Sequence, residues 1–311
     1  MTTQVRYGYF GPPGTFTQMA LLAWPAARGG EHTAYDSVDA TLAAVRAGAI
    51  DAGMVPIENS VEGGVSATLD NLANGDPLVV IGEVLVPITF VLAAPAGMPL
   101  SAVRAVGTHS HAWAQVRGWM REHAPGVAYV PTLSTAAAAA GLAGGEEQVY
   151  QAAVCAPVAA AVNGLSVLSE DIGDVANAVT RFVLVARPGE LPPPTGADKT
   201  TLVLYQREDH SGGLLELLEQ FATRGINMTR LESRPTKAEM GSYCFSVDIE
   251  GHVVDERIGE ALMGLKRVCA EVVFLGSYPR ADGRAASVAP RTTDEDFAAA
   301  RDWLNSVRHS V

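Results

Sequence analysis

Four polar segments of this 311-residue sequence carry side chains able to hold an anion or handle a proton. In Gly11-Pro12-Pro13-Gly14-Thr15-Phe16 a turn leads into a helix. Its free amides and the Thr15 hydroxyl face an anion favourably, although an ordinary strand-to-helix turn has the same composition. Glu58-Asn59-Ser60 ends an apolar run and precedes Glu62-Gly63-Gly64. The end of a strand is where open α/β sheets place ligands, and these residues offer acceptor, amide and hydroxyl groups; Asn59 and Ser60 serve equally well as caps. In Thr108-His109-Ser110-His111-Ala112-Trp113-Ala114-Gln115 the histidines lack a third metal ligand at a recognisable spacing. A helix capped by Thr108 or Ser110 accounts for the segment and puts Gln115 one to two turns inside. Finally, Asn177-Ala178-Val179-Thr180-Arg181-Phe182 enters an apolar strand. An arginine there requires a carboxylate, from a ligand or from Asp171 or Asp174.

Short apolar runs alternate with helical patterns up to about residue 187, which predicts parallel or mixed sheets covered by helices. The expected strands are 5–10, 51–56, 78–85, 88–94, 151–155 and 180–186, and the expected helices 15–24, 37–47, 111–122, 134–143 and 156–163. Residues of about 88–175 read as a second α/β lobe inserted into the first within a catalytic domain spanning 1–187, with a ligand cleft between the lobes. The proline-rich run 188–198 is a linker. Beyond it, strands 199–206, 226–233, 242–249 and 271–276 and two helices give a βαββαβ pattern, which predicts a small ferredoxin-like domain over 199–280. The tail, 281–311, ends in a helix capped by Thr293 and striped by Phe297, Ala300, Leu304 and Val307.

A hydrophobic fraction of 48% with 18% charged residues supplies a core and argues against disorder. The net charge of -12 argues against nucleic acid as a partner. The odd count of 3 cysteines, without a CxxC pair, reads as buried thiols in a reducing compartment. With no uninterrupted apolar stretch of about 18 residues or more and no leader pattern, no membrane partner is expected and the location is expected to be cytoplasmic. Neither GxGxxG nor GxxxxGK[ST] occurs, and the adjacent Asp209-His210-Ser211 cannot assemble a hydrolase triad.

Taken together, Gly11-Pro12-x-Gly14-Thr15-Phe16, Val55-Pro56-Ile57-Glu58-Asn59-Ser60 and Asn177-x-x-Thr180-Arg181-Phe182 resemble the prephenate dehydratase family, in its order. Gly212-Gly213-Leu214-Leu215 and Ile226-Asn227 through Glu232-Ser233-Arg234-Pro235 resemble the effector motifs of an ACT domain. The resemblance spans residues 5 to about 280. It implies an α/β fold, with a two-lobed catalytic domain like type II periplasmic binding proteins and a ferredoxin-like βαββαβ ACT domain. It also implies loss of water and CO2 from prephenate to give phenylpyruvate in L-phenylalanine biosynthesis, with no cofactor and no metal.

Carried over onto this sequence, Thr180 or Glu58 assists departure of the ring hydroxyl. Thr15, Asn59, Ser60, Thr108, Gln115, Arg181 and Phe182 bind substrate, with Arg181 on a carboxylate. L-phenylalanine binds Gly212, Gly213, Leu214, Leu215, Asn227, Glu232, Ser233, Arg234 and Pro235 at an interface in a homodimer or homotetramer. Two positions depart from the family's pattern. Thr108-His109-Ser110-His111 stands for Ser-His-Pro-Gln, and Gly213 stands for Ala, which is expected to loosen the effector loop. The rival readings are an arogenate dehydratase and a non-catalytic solute-binding protein.

Overall fold

The computed structural model describes residues 4–144, 149–236 and 243–310. The chain forms two units, Met1–Thr68 with Val84–Phe182, and Leu69–Glu83 with Val183–Val311.

The first elements are β1 (Arg6–Phe10), α1 (Phe16–Ala23), β2 (Glu31–Tyr35), α2 (Val38–Arg46), β3 (Ala52–Asn59), β4 (Gly63–Gly64), α3 (Ser66–Ala73) and β5 (Val79–Pro87). There follow β6 (Val91–Ala94), β7 (Ala105–Thr108), α4 (Ser110–His123), β8 (Ala128–Pro131), α5 (Thr135–Ala143), β9 (Ala152–Cys155), α6 (Pro157–Val162), β10 (Ser166–Ser169) and β11 (Val179–Ala186). One sheet has the order β2-β1-β3-β11-β5, with β4 paired to β3, and a second has the order β10-β6-β9-β7-β8. The second sheet is thus built from a continuous stretch of chain lying between β5 and β11, which makes this part of the chain two-lobed.

Residues 52–55 of β3 are all buried, as are 180–185 of β11. Central strands covered by helices on both faces need such apolar runs. Thr15, Ser37 and Ser134 each cap a helix, accepting the amides of Gln18, Ala40 and Ala137. Gly14, at φ +88°, supplies the left-handed turn immediately before the Thr15 cap.

In the second unit the order is β12 (Asp198–Tyr205), α7 (Gly213–Ala222), β13 (Met228–Pro235), β14 (Tyr243–Glu250), α8 (Glu256–Val268), β15 (Glu271–Pro279) and α9 (Asp294–His309). The antiparallel order β13-β14-β12-β15 is that of a ferredoxin-like βαββαβ domain. Leu217 and Phe221 of α7 and Ile258, Ala261 and Leu265 of α8 pack on Leu202, Leu204, Val247 and Ile249 of the sheet. Residue 242, with which the third of the expected strands begins, lies outside the described residues.

Leu69–Glu83 groups with this second unit although it precedes β11 in the chain. Its attachments are polar. Lys199 Nζ meets Glu83 at 3.0 Å with both side chains nearly enclosed, and the Tyr205 hydroxyl donates to the Ala73 carbonyl at 2.9 Å. The terminal helix α9 is also held by polar groups. Arg301 pairs with Glu256, and Asp294 accepts the Glu256 amide. None of its residues is buried, so the expected Phe297–Val307 stripe is not what docks it.

Candidate active site

Where β3 ends beside β11, Ser60 clamps the two strands. Its amide donates to the Val179 carbonyl at 2.9 Å and its Oγ accepts the Val179 amide at 2.9 Å. This clamp sets Asn59 against Thr180, and Asn59 Nδ2 donates to Thr180 Oγ1 at 2.8 Å. The orientation of the Asn59 amide is fixed from its other end, because Oδ1 accepts the backbone amides of Val61 and Glu62 at 2.8 and 3.2 Å. Thr180 therefore acts as acceptor toward Asn59 and keeps its own proton for an acceptor in the cleft.

Asn59 and Thr180 line a cleft of about 550 Å³ in the first unit, a volume suited to a small organic molecule. Its lining includes the rings of Phe10, Phe16, Phe90 and Phe182. Phe16 and Phe90 meet edge to face at 5.8 Å. Three polar residues of the lining interlock. Glu62 Oε2 lies 2.6 Å from His111 Nδ1, and Glu62 Oε1 accepts Gln115 Nε2 at 3.1 Å. His109 adjoins them; burial first, and the charge of His111 second, lower its pKa against the opposing pull of Glu62.

No lysine or arginine is among the described residues lining the cleft. Positive potential comes instead from helix ends. Thr15, Phe16 and Thr17 belong to the start of α1, Ser66 to that of α3, His109, His111 and Ala112 to that of α4, and Ser134 and Thr135 to that of α5. A helix N-terminus carries unpaired amides and the positive end of the macrodipole. Four of them at one cleft favour an anion there, beside aromatic side chains.

The prephenate dehydratase family profile matches residues 7–190, and the ACT domain profile residues 200–267. A prephenate dehydratase of Amycolatopsis methanolica is 47% identical over 304 residues, 97% of this chain and 98% of the relative. One from Mycobacterium tuberculosis is 44% identical, covering 98% and 94%. The crystal structure of an Arthrobacter aurescens prephenate dehydratase in complex with L-Phe superposes with a TM-score of 0.93 at 54% identity, over 98% of this chain and 100% of the other. The chain belongs to the prephenate dehydratase family.

Within this family frame the structure separates the expected site residues. Thr15, Asn59, Gln115, Thr180 and Phe182 line the cleft. Glu58, Ser60, Thr108 and Arg181 do not. Successive strand residues face opposite ways, so Arg181 turns away from the side that Thr180 and Phe182 share. Its guanidinium, 6% exposed, meets Glu58 Oε2 at 3.3 Å. Glu58 is thus an internal carboxylate that meets the buried arginine. Asp174 instead accepts the amides of Gly118 and Trp119. Ser60 is used in the strand clamp, and the fully buried Thr108 hydroxyl donates to the Val154 carbonyl at 2.8 Å. The cap of α4 is His109, not Thr108 or Ser110.

Sequence reasoning missed Glu62 and His111 as site residues. The signal available was the spacing of His111 and Gln115, four apart on one helix face, with a carboxylate just after the Asn59-Ser60 turn.

Of the expected effector residues, Gly212 caps α7 at φ +92° and Gly213 begins that helix. A Cβ on Gly213 would come within 2.6 Å of Gln206 Nε2, so this glycine admits the Gln206 side chain. Leu214 and Leu215 are exposed, and so is Asn227, whose carbonyl accepts the Glu250 amide. Glu232, Ser233, Arg234 and Pro235 lie on β13, an edge strand. Arg234 Nη2 is 2.9 Å from Asp70 Oδ1 of α3 within the same unit.

Proposed function

We propose that the cleft of the first unit converts prephenate to phenylpyruvate, water and CO2, the hydro-lyase step of L-phenylalanine biosynthesis. The bond from Asn59 to Thr180 carries this reading. It supplies an oriented hydroxyl donor beside an aromatic surface, in a cleft built for anions. In the reaction the ring C–O bond breaks with its electron pair on oxygen. The bond to the ring carboxylate breaks with its pair entering the ring, which becomes aromatic. One proton from solution completes the water. Aromaticity supplies the driving force, so the protein's task is to hold two carboxylates and stabilise the departing oxygen.

Thr180 donates a hydrogen bond to that oxygen while Asn59 holds its acceptor side. Helix N-terminal amides receive the carboxylates, and Gln115 orients the side chain of the substrate. Glu58, paired with Arg181, braces β3 against β11 and does not supply the proton. The chemistry calls for no organic cofactor or metal.

L-phenylalanine is the proposed effector, bound by the ACT domain around the start of α7 and by β13. Edge strand β13 exposes Leu231, Ser233 and Pro235, a row open to pairing with a second copy in a homodimer or homotetramer. Within the second unit, Asp70 of α3 holds Arg234 of the effector motif. No described helix is long and apolar enough to cross a membrane, and a cytoplasmic location is proposed. The test is appearance of phenylpyruvate absorbance from prephenate, with and without L-phenylalanine. No phenylpyruvate defeats the catalytic reading, and a rate indifferent to L-phenylalanine defeats the regulatory one.

A further inference from the structure

A cleft that receives a dianion contains a carboxylate of its own. Glu62 projects into it from the turn between β3 and β4, held there by its backbone bond to Asn59 and by Gln115. The partner that can change its net charge is His111, 2.6 Å away, with its side chain 66% exposed and so in ready exchange with solvent protons. We propose that His111 is a positioning residue that acts through Glu62, so that binding of the dianionic substrate weakens when His111 loses its proton. The inference rests on the function proposed above.

The charge count is direct. With His111 protonated, the pair is neutral and the helix N-termini dominate the potential seen by the carboxylates. With His111 neutral, Glu62 leaves one negative charge facing two others. At the separations within a small cleft, and with the partial screening of a half-open site, one such charge weakens binding about tenfold. Among the described residues, two titratable groups are placed against His111. Glu62 comes from the β3–β4 turn and His109 from the cap of α4, its ring 5.0 Å from that of His111. The start of α5 contributes Leu133, Ser134 and Thr135, none of them charged. Burial first, and the charge of His111 second, hold the His109 imidazole below its ordinary pKa.

The experiment measures kcat and KM for phenylpyruvate formation between about pH 5.5 and 8.5 for the unaltered chain, His111→Gln and Glu62→Gln. Glutamine at 111 can still donate to Glu62 but cannot carry charge. The unaltered chain should show KM rising about tenfold across the range with kcat changing far less. His111→Gln should hold the high, alkaline KM at every pH. Glu62→Gln should lower the alkaline KM below that of the unaltered chain. A His111→Gln profile that rises as in the unaltered chain overturns the inference. So does a Glu62→Gln alkaline KM equal to the original, or a pH effect confined to kcat. An unaltered chain that makes no phenylpyruvate at any pH overturns the proposed function itself, and this inference with it.

Discussion

The side-chain amide of Asn59 donates to the hydroxyl of Thr180 across 2.8 Å, joining residues 121 positions apart in the chain. The bond is directional, because Asn59 Oδ1 is already engaged by the amides of Val61 and Glu62. A threonine hydroxyl is a weak acid, and an N–H donor on its oxygen makes its own proton a better hydrogen-bond donor. The same residue thus orients Thr180 and holds the turn that delivers Glu62.

Replacing Asn59 by Asp tests this direction with almost no change of shape. A carboxylate cannot donate, so it accepts the Thr180 proton and draws it away from the substrate. The expected outcome is a fall in kcat of about 10²-fold with a folded, unaggregated protein by circular dichroism. An Asn59→Asp chain with full kcat would mean that the donor direction is irrelevant.

Glu58 and Arg181 form the second relationship across the β3–β11 seam, and it is a brace. Removing the carboxylate takes one charged partner from a nearly enclosed guanidinium, whereas Glu58 is itself 37% exposed. Glu58→Gln should therefore cost about 1–3 kcal/mol in urea unfolding, less than a fully buried pair would. The loss should register in the unfolding midpoint more than in kcat. A large kcat loss at unchanged stability would return Glu58 to the proton-donor role.

The legible regions of this molecule were those with strong local chemistry. The ferredoxin-like unit was readable because α7 and α8 carry apolar residues at helical spacing and its strands run 8 or 9 residues. Strands β2, β7, β8 and β10 were not, since they lack the uninterrupted apolar run that made β6 and β9, no longer than they are, readable. Helix α3 was hidden by the glycines and asparagines on either side of it. In the site, Asn59 and Thr180 stood out by motif, but burial decides which polar side chains reach the cleft. Thr108 and Ser60 have suitable hydroxyls and spend them on backbone. The spacing of His111 and Gln115 marks one face of α4, but which distant turn brings a carboxylate to that face is decided by the fold.

The ferredoxin-like core should be sensitive at Phe221, which is 2% exposed and packed between sheet and α8. Phe221→Ala is expected to cost about 3–5 kcal/mol in urea unfolding, since it removes a ring and leaves a cavity. A change below about 1 kcal/mol would mean that this core is not closed as described.

The three cysteines should be inert in the folded chain. All are buried and free, and burial pushes Cys155 up to about 12, Cys269 up to about 11 and Cys244 in the same direction. A raised thiol pKa leaves little reactive thiolate at neutral or mildly alkaline pH. Iodoacetamide should leave the native protein unmodified by mass spectrometry and alkylate every cysteine in denaturant. Rapid alkylation of Cys155 in the native state would contradict its placement.

The most direct measurement is the rate of phenylpyruvate formation from prephenate by the unaltered chain, Thr180→Ser and Thr180→Ala. Serine keeps the hydroxyl for Asn59 to orient and should retain most of the turnover. Alanine removes the donor to the departing oxygen and should lower kcat by about 10²–10³-fold, with a much smaller change in KM. A Thr180→Ala enzyme within about threefold of the unaltered kcat would contradict the assignment of Thr180 to the leaving hydroxyl.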